Sequence, residues 1–242
     1  MKLLYSIILA ITALSSCAKK RVDTPVTTNM TKDTAVAVAA DSLSYLALGD
    51  SYTIGEAVSA DQSYPYQLAA QMALQKHPVK TPTIIAVTGW TTDNLIKAIA
   101  NSGITNKKFD FVTLLIGVND QYQGLSQSNY ATKFQQVLNT AITFAGGNKD
   151  HVFVISIPDW GVTPYAGGQD SVIGPQIDEF NNINKAISQN SGVNYLDITP
   201  ISRMAATEPD LIAPDGLHPS GKMYTLWVNL LEPMVLAKLK LN

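Results

Sequence analysis

The 242-residue chain has one cysteine, Cys17, and three histidines. A lone cysteine excludes an intrachain disulfide, and three histidines leave little from which to build a metal cage. Charge is sparse as well: 15% of residues are Asp, Glu, Lys or Arg, with 17 basic against 19 acidic side chains. That balance supplies no basic footprint for nucleic acid. The most apolar stretch, Leu3 to about Leu14, is shorter than the roughly 20 residues a membrane-spanning helix needs. What the chain does have is apolar material, 46% of its residues, enough for the core of one main domain.

The first residues read as a targeting segment. Lys2, an apolar run and then small residues up to Ser16 have the layout of a signal peptide over residues 1–16. Leu14-Ser15-Ser16-Cys17 resembles the bacterial lipoprotein box, which implies lipidation of Cys17 and a membrane-anchored place in the bacterial cell envelope. Ordinary cleavage nearby with a soluble product is the alternative. Residues 17–42 hold few aromatics and read as a flexible tether, whose roughly 25 residues span about 25 to 30 Å on average. "AVAVAA" within it is an alternative edge strand.

From residue 43 to 242 the pattern alternates. Five short apolar runs read as buried strands: "YLAL" (45–48), "TIIAV" (83–87), "FVTLLIG" (111–117), "VFVISI" (152–157) and "VNYLDI" (193–198). Between them, residues 65–76, 92–100, 128–145 and 177–189 place apolar side chains at helical spacing. A last helix runs from a Ser220 cap to about Lys240, with Pro233 expected to kink or break it. Strands joined through helices of this length form a parallel sheet covered on both faces, so the expected fold is a three-layer α/β/α sandwich around five parallel strands. Its site belongs beyond the carboxyl ends of the strands.

Those ends carry Gly49-Asp50-Ser51, Gly89, "GVNDQ" (117–121), "PDWG" (158–161) and "APDGLHPSG" (213–221). Acyl transfer needs a nucleophile, a base that titrates near neutrality, an anion to orient the base and donors for the oxyanion. Ser51, His218 and Asp215 fit the first three roles. An Asp three residues before a His folds back in a tight turn onto one ring nitrogen, and Gly216 eases that turn. His77 follows a helix and His151 begins a strand at the wrong end, so neither suits the base. The candidate oxyanion donors are the N–H groups of Ser51 and Gly89 and the side-chain amide of Asn119.

Together these segments resemble the four sequence blocks of the SGNH hydrolases, also called the GDSL esterase/lipase family, in the family's order over residues 45 to about 230. The resemblance implies a flavodoxin-like sandwich, a triad of Ser51, Asp215 and His218, and an oxyanion hole of Ser51, Gly89 and Asn119. It requires no cofactor or metal. Tyr52 departs from the leucine common at its position, which changes packing or a pocket wall.

The leading expectation is a serine hydrolase of acyl esters, lysophospholipids or similar carboxylic esters, working as a monomer. A carbohydrate O-acetyl esterase of the same family is the alternative, and a non-catalytic envelope binding lipoprotein is an alternative of another class. A metal-dependent phosphoesterase would instead use Asp50, Asp120, Asp215 and His218, although a structural role for Asp50 is preferred. Tyr52, Trp90, Tyr122, Trp160 and Tyr165 follow strand ends and are candidate substrate contacts.

Overall fold

The computed structural model describes residues 42–241. The expected signal peptide over 1–16, the lipidated Cys17, the tether and the alternative strand in "AVAVAA" lie outside the described residues.

Five parallel strands form the sheet: β1 (Tyr45–Gly49), β2 (Thr83–Ala86), β3 (Phe111–Leu115), β4 (Val152–Ile155) and β5 (Asn194–Leu196), in the spatial order β2-β1-β3-β4-β5. The three central strands are buried along their whole length, whereas edge strands β2 and β5 are only partly so. A continuous apolar run marks a strand covered on both faces, which is why β1, β3 and β4 stood out in the sequence. Strands β3 and β4 each end two residues before the apolar run read from sequence, where the chain leaves the ladder for the site, while β1 extends one residue past its run to Gly49.

Helices cover both faces. On one side α2 (Tyr64–Leu74) packs against α8 (Gly221–Leu239), and on the other α5 (Gln127–Phe144) packs between α3 (Thr92–Asn101) and α6 (Asp170–Ser191). Their caps are written in the sequence. Thr91 and Asn94 form a capping box at the start of α3, the Thr91 hydroxyl accepting from the Asn94 N–H while the Asn94 carbonyl accepts from Thr91. On α5, Phe134, Val137, Leu138 and Ala141 are fully buried, the three larger side chains contributing about 1.5 to 3 kcal/mol each.

Two helices depart from expectation. Pro233 does not break the last helix, which continues unbroken from Gly221 to Leu239. Val228, Leu231 and Val235 on either side of it are completely buried, and that packing outweighs the hydrogen bond a proline forfeits. Helix α6 begins at Asp170, seven residues before the expected start, and runs through Pro175. Gly174 and Pro175 interrupt the helical spacing there, and Gly174 stands where a Cβ would lie 3.1 Å from Asp159. Short helices α1 (Ser51–Ile54), α4 (Val118–Tyr122) and α7 (Thr199–Arg203) were not expected, being too brief to show a period.

The strand order reverses direction between β1 and β3, whose ends Gly49 and Leu115 lie side by side. In open α/β sheets ligands bind at such a switch point.

Candidate active site

Gly49-Asp50-Ser51 is a strand-to-helix corner in which each residue has a separate task. A Cβ on Gly49 would lie 2.4 Å from the Leu115 carbonyl and 2.1 Å from the Thr53 hydroxyl, so only glycine lets β1, β3 and α1 meet there. Asp50 caps α1, its Oδ1 accepting the Tyr52 N–H at 3.0 Å. Ser51 is the first residue of that helix, where backbone N–H groups have no partner within the helix.

Asp50 is fully buried, and its Oδ2 has no hydrogen-bond partner among the described residues. Burial drives its carboxyl up to about 8, against the Tyr52 N–H and with help from the Asp120 charge. The folded chain therefore keeps a proton that the unfolded chain releases near the ordinary value of 3.8. This contribution to stability is complete below about pH 4 and is lost as pH rises towards 8, at up to about 1.4 kcal/mol per pH unit. Asp50→Asn keeps the cap without the titration. Its melting temperature is expected to fall less between pH 5 and pH 8 than the parent's; parallel curves would refute the assignment.

The turn after β2 runs from Val87 to Trp90, closed by the Trp90 N–H on the Val87 carbonyl at 3.2 Å, with Gly89 at φ +81°. That is the position of a type II turn which glycine fills without strain. After β3, Gly117 has φ +132° and a Cβ there would lie 2.6 Å from the Tyr130 hydroxyl. Helix α4 then brings in two polar side chains. Asn119 Nδ2 donates to the Trp90 carbonyl at 3.0 Å, which fixes the amide orientation and leaves its second hydrogen free for a ligand. Asp120 accepts from both the N–H and the hydroxyl of Thr92, at 2.9 Å each.

Residues 213–218 form a closed loop in which the Ala213 N–H meets the His218 carbonyl at 2.8 Å and Gly216 sits at φ +75°. One oxygen of Asp215 accepts the backbone N–H groups of Leu217 and His218, at 3.0 Å each. The other lies 2.5 Å from His218 Nδ1. A carboxylate only accepts, so Nδ1 carries the proton and Nε2 is left with a lone pair. Burial alone would raise the Asp215 carboxyl, but the His218 ring and the two N–H groups outweigh it and hold it below the usual value. Tyr52 sets its ring edge-on to the imidazole with centroids 5.7 Å apart.

These segments meet around one cavity of about 130 Å³, lined by Ser51, Gly89, Asn119 and His218 together with Tyr52, Tyr122, Trp160 and Tyr165. Trp90 is not part of the lining. Its indole packs half-buried against the core and only its carbonyl serves the site, through Asn119. Trp160 is held by its Nε1 on Gln121 Oε1 at 2.9 Å. Its loop is fixed by Asp159, which pairs with Arg203 at 2.9 Å and accepts the Gly161 N–H at 2.8 Å. Thr88, Val118 and Leu217 also line the cavity; each is next to a residue singled out from sequence, and adjacency was their only signal.

Of the four groups considered for a metal centre, Asp50 accepts the Tyr52 N–H with one oxygen, Asp120 is bonded to Thr92, and Asp215 and His218 are bonded to each other. Among the described residues no three His, Cys, Asp or Glu side chains are grouped to hold a metal.

Comparison with known proteins agrees with this architecture. No curated protein sequence matches the chain. Among solved structures, TesA superposes with a TM-score of 0.61 at 16% identity, covering 81% of this chain and 99% of that one. The psychrotrophic esterase EstA from Pseudoalteromonas sp. gives 0.61 at 15% identity, covering 82% and 99%. Axe2, an acetylxylan esterase from Geobacillus stearothermophilus, gives 0.61 at 15% identity, covering 81% and 94%. At such identities the likeness concerns the fold. The family model for the GDSL-like lipase/acylhydrolases matches residues 47–226, from the strand that delivers Ser51 to the helix that follows His218, and the chain accordingly belongs to that family and is a carboxylic ester hydrolase.

Proposed function

We propose that Ser51 is the nucleophile of an acyl-enzyme mechanism with a short acyl group as its substrate. The observation that carries this reading is the lining of one small cavity by Ser51, Gly89, Asn119 and His218, drawn from four distant segments. In the first step Ser51 Oγ attacks the ester carbonyl carbon while His218 Nε2 takes its proton. Asp215 keeps the imidazole in the required tautomer and stabilises the imidazolium. The carbonyl oxygen becomes an oxyanion that accepts from the N–H groups of Ser51 and Gly89 and the second amide hydrogen of Asn119. Collapse expels the alcohol, protonated by His218. The same base then draws a proton from water, whose oxygen attacks the acyl carbon; as the bond from that carbon to Ser51 Oγ breaks, His218 returns the proton to Oγ and the acid is released.

Cavity size sets the acyl length. Sites for drug-sized ligands occupy about 300 to 1,000 Å³, and this one has about 130 Å³. A cavity below that range favours a short acyl group over a long one. With p-nitrophenyl esters of two to sixteen carbons, kcat/KM is expected to peak at two to four carbons and fall at least about tenfold by eight. A maximum at ten carbons or beyond would overturn the short-acyl reading.

A second reading, removal of acetyl groups from glycans, is favoured by the cavity rim. Tyr122 and Tyr165 are 55% and 54% exposed, bonded through their hydroxyls at 3.2 Å, and both pack edge-on to Trp160. Exposed rings beside a small acyl cavity suit a flat alcohol portion such as a sugar ring. Acetate release from an acetylated glycan at a kcat/KM above that of p-nitrophenyl acetate selects this reading, and no release rejects it.

A further inference from the structure

The turn that carries Gly89 lies on the surface: Val87 is 46% exposed, and Thr88 and Gly89 are exposed too. A donor on such a turn stabilises an oxyanion only to the extent that the turn is held, since small displacements of a positioned group cost rate steeply. One external bond to this turn is the Asn119 amide on the Trp90 carbonyl. A second is the Thr88 hydroxyl, which donates to Glu56 Oε2.

Glu56 reaches that place through an unusual stretch of backbone. Gly55 ends α1 in the left-handed conformation at φ +78°, and Ala57 follows at φ +66°. Alanine rarely adopts such a φ, and it persists only where the surroundings enforce it. The N–H of Glu56 donates to the Ser51 carbonyl at 3.1 Å. One residue is thus bonded through its main chain to Ser51 and through its side chain to the turn of Gly89.

We propose that Glu56 is a positioning residue for ester hydrolysis: by accepting the Thr88 hydroxyl it fixes the Gly89 N–H relative to the Ser51 oxygen. It touches no reacting atom. The inference rests on the role given above to Gly89 in the oxyanion hole. A charged acceptor suits the task because its hydrogen bonds are shorter and stronger than those between neutral groups.

Steady-state kinetics on p-nitrophenyl acetate test it with Glu56→Ala, Glu56→Gln, Thr88→Val and the double variant Glu56→Ala/Thr88→Val. Each of Glu56→Ala and Thr88→Val is expected to lower kcat about tenfold with KM changed less than about twofold, the signature of a loss confined to the transition state. The double variant should be no slower than either single one, because both remove the same bond. Glu56→Gln, which still accepts, should keep at least about a third of the parent kcat. The inhibition constant of a trifluoromethyl ketone, which forms a tetrahedral adduct, should rise by the factor that kcat/KM falls. If Glu56→Ala does not fold, Thr88→Val tests the same bond without disturbing residues 55–57. A kcat within twofold of the parent in Thr88→Val, additive losses in the double variant, or Glu56→Gln as slow as Glu56→Ala would each overturn the proposal. An inactive Ser51→Ala beside a fully active Thr88→Val overturns this inference alone, whereas an active Ser51→Ala removes the mechanism on which it rests.

Discussion

Alanine at position 51 is expected to lower kcat for p-nitrophenyl acetate by about 10⁴-fold or more, the scale on which removal of a nucleophile acts in triad enzymes. The fold should be indifferent to the change. Ser51 is 4% exposed, but α1 is capped by Asp50, not by Ser51, and alanine is a good residue at the first position of a helix. The melting temperature is therefore expected to stay within about 2 °C of the parent's, the shift that about 0.5 to 1 kcal/mol produces in a domain of this size. Residual turnover within tenfold of the parent would remove Ser51 from the mechanism. A lost transition in circular dichroism would instead show that the hydroxyl is needed for folding.

The second large effect is expected at Asn119. Loss of one oxyanion donor typically costs about 10² to 10³ in kcat, or roughly 3 to 4 kcal/mol. Asn119→Ala also removes the amide bond to the Trp90 carbonyl, so the turn bearing Gly89 loses one of its supports and the upper part of that range is expected. Asn119→Asp separates the two contributions of volume and hydrogen. The aspartate has the same shape but offers no donor, and its charge opposes both the Trp90 carbonyl and a developing oxyanion. It should be at least as slow as the alanine variant. Activity in Asn119→Asp near that of the parent would show that the residue fills space and donates nothing to the reaction.

Much of the site was legible because its geometry is local. Gly49, Gly117 and Gly216 stand where a close approach or a positive φ requires glycine, and such requirements leave their mark on single residues. Asp215 and His218 are three residues apart, within reach of one turn, and the 2.5 Å contact between their side chains follows from that spacing. The capping function of Asp50 is equally local, closing over two residues to the Tyr52 N–H.

The aromatic residues show the opposite case. Trp90 and Trp160 both follow strand ends, and nothing in their neighbours separates them by sequence. Of the two, only Trp160 lines the cavity, because Gln121, and Arg203 acting through Asp159, both distant along the chain, hold its loop there. Pro233 read as a break because a proline's local cost is visible, whereas the buried face of α8 that offsets it is assembled from the rest of the fold.

The sequence by itself determined five parallel strands, the order in which the site segments follow them and the identities of the residues brought to the strand ends. Alternating periodicity, caps and glycine positions are interactions within a few residues, so composition and spacing suffice to express them. The tertiary structure alone decided the volume of the cavity, the rings that line it, the raised carboxyl of Asp50 and the bond from Glu56 to Thr88. Each of these depends on how segments far apart in the chain exclude water from one another, and that exclusion exists only once the sheet and its two helical layers have closed.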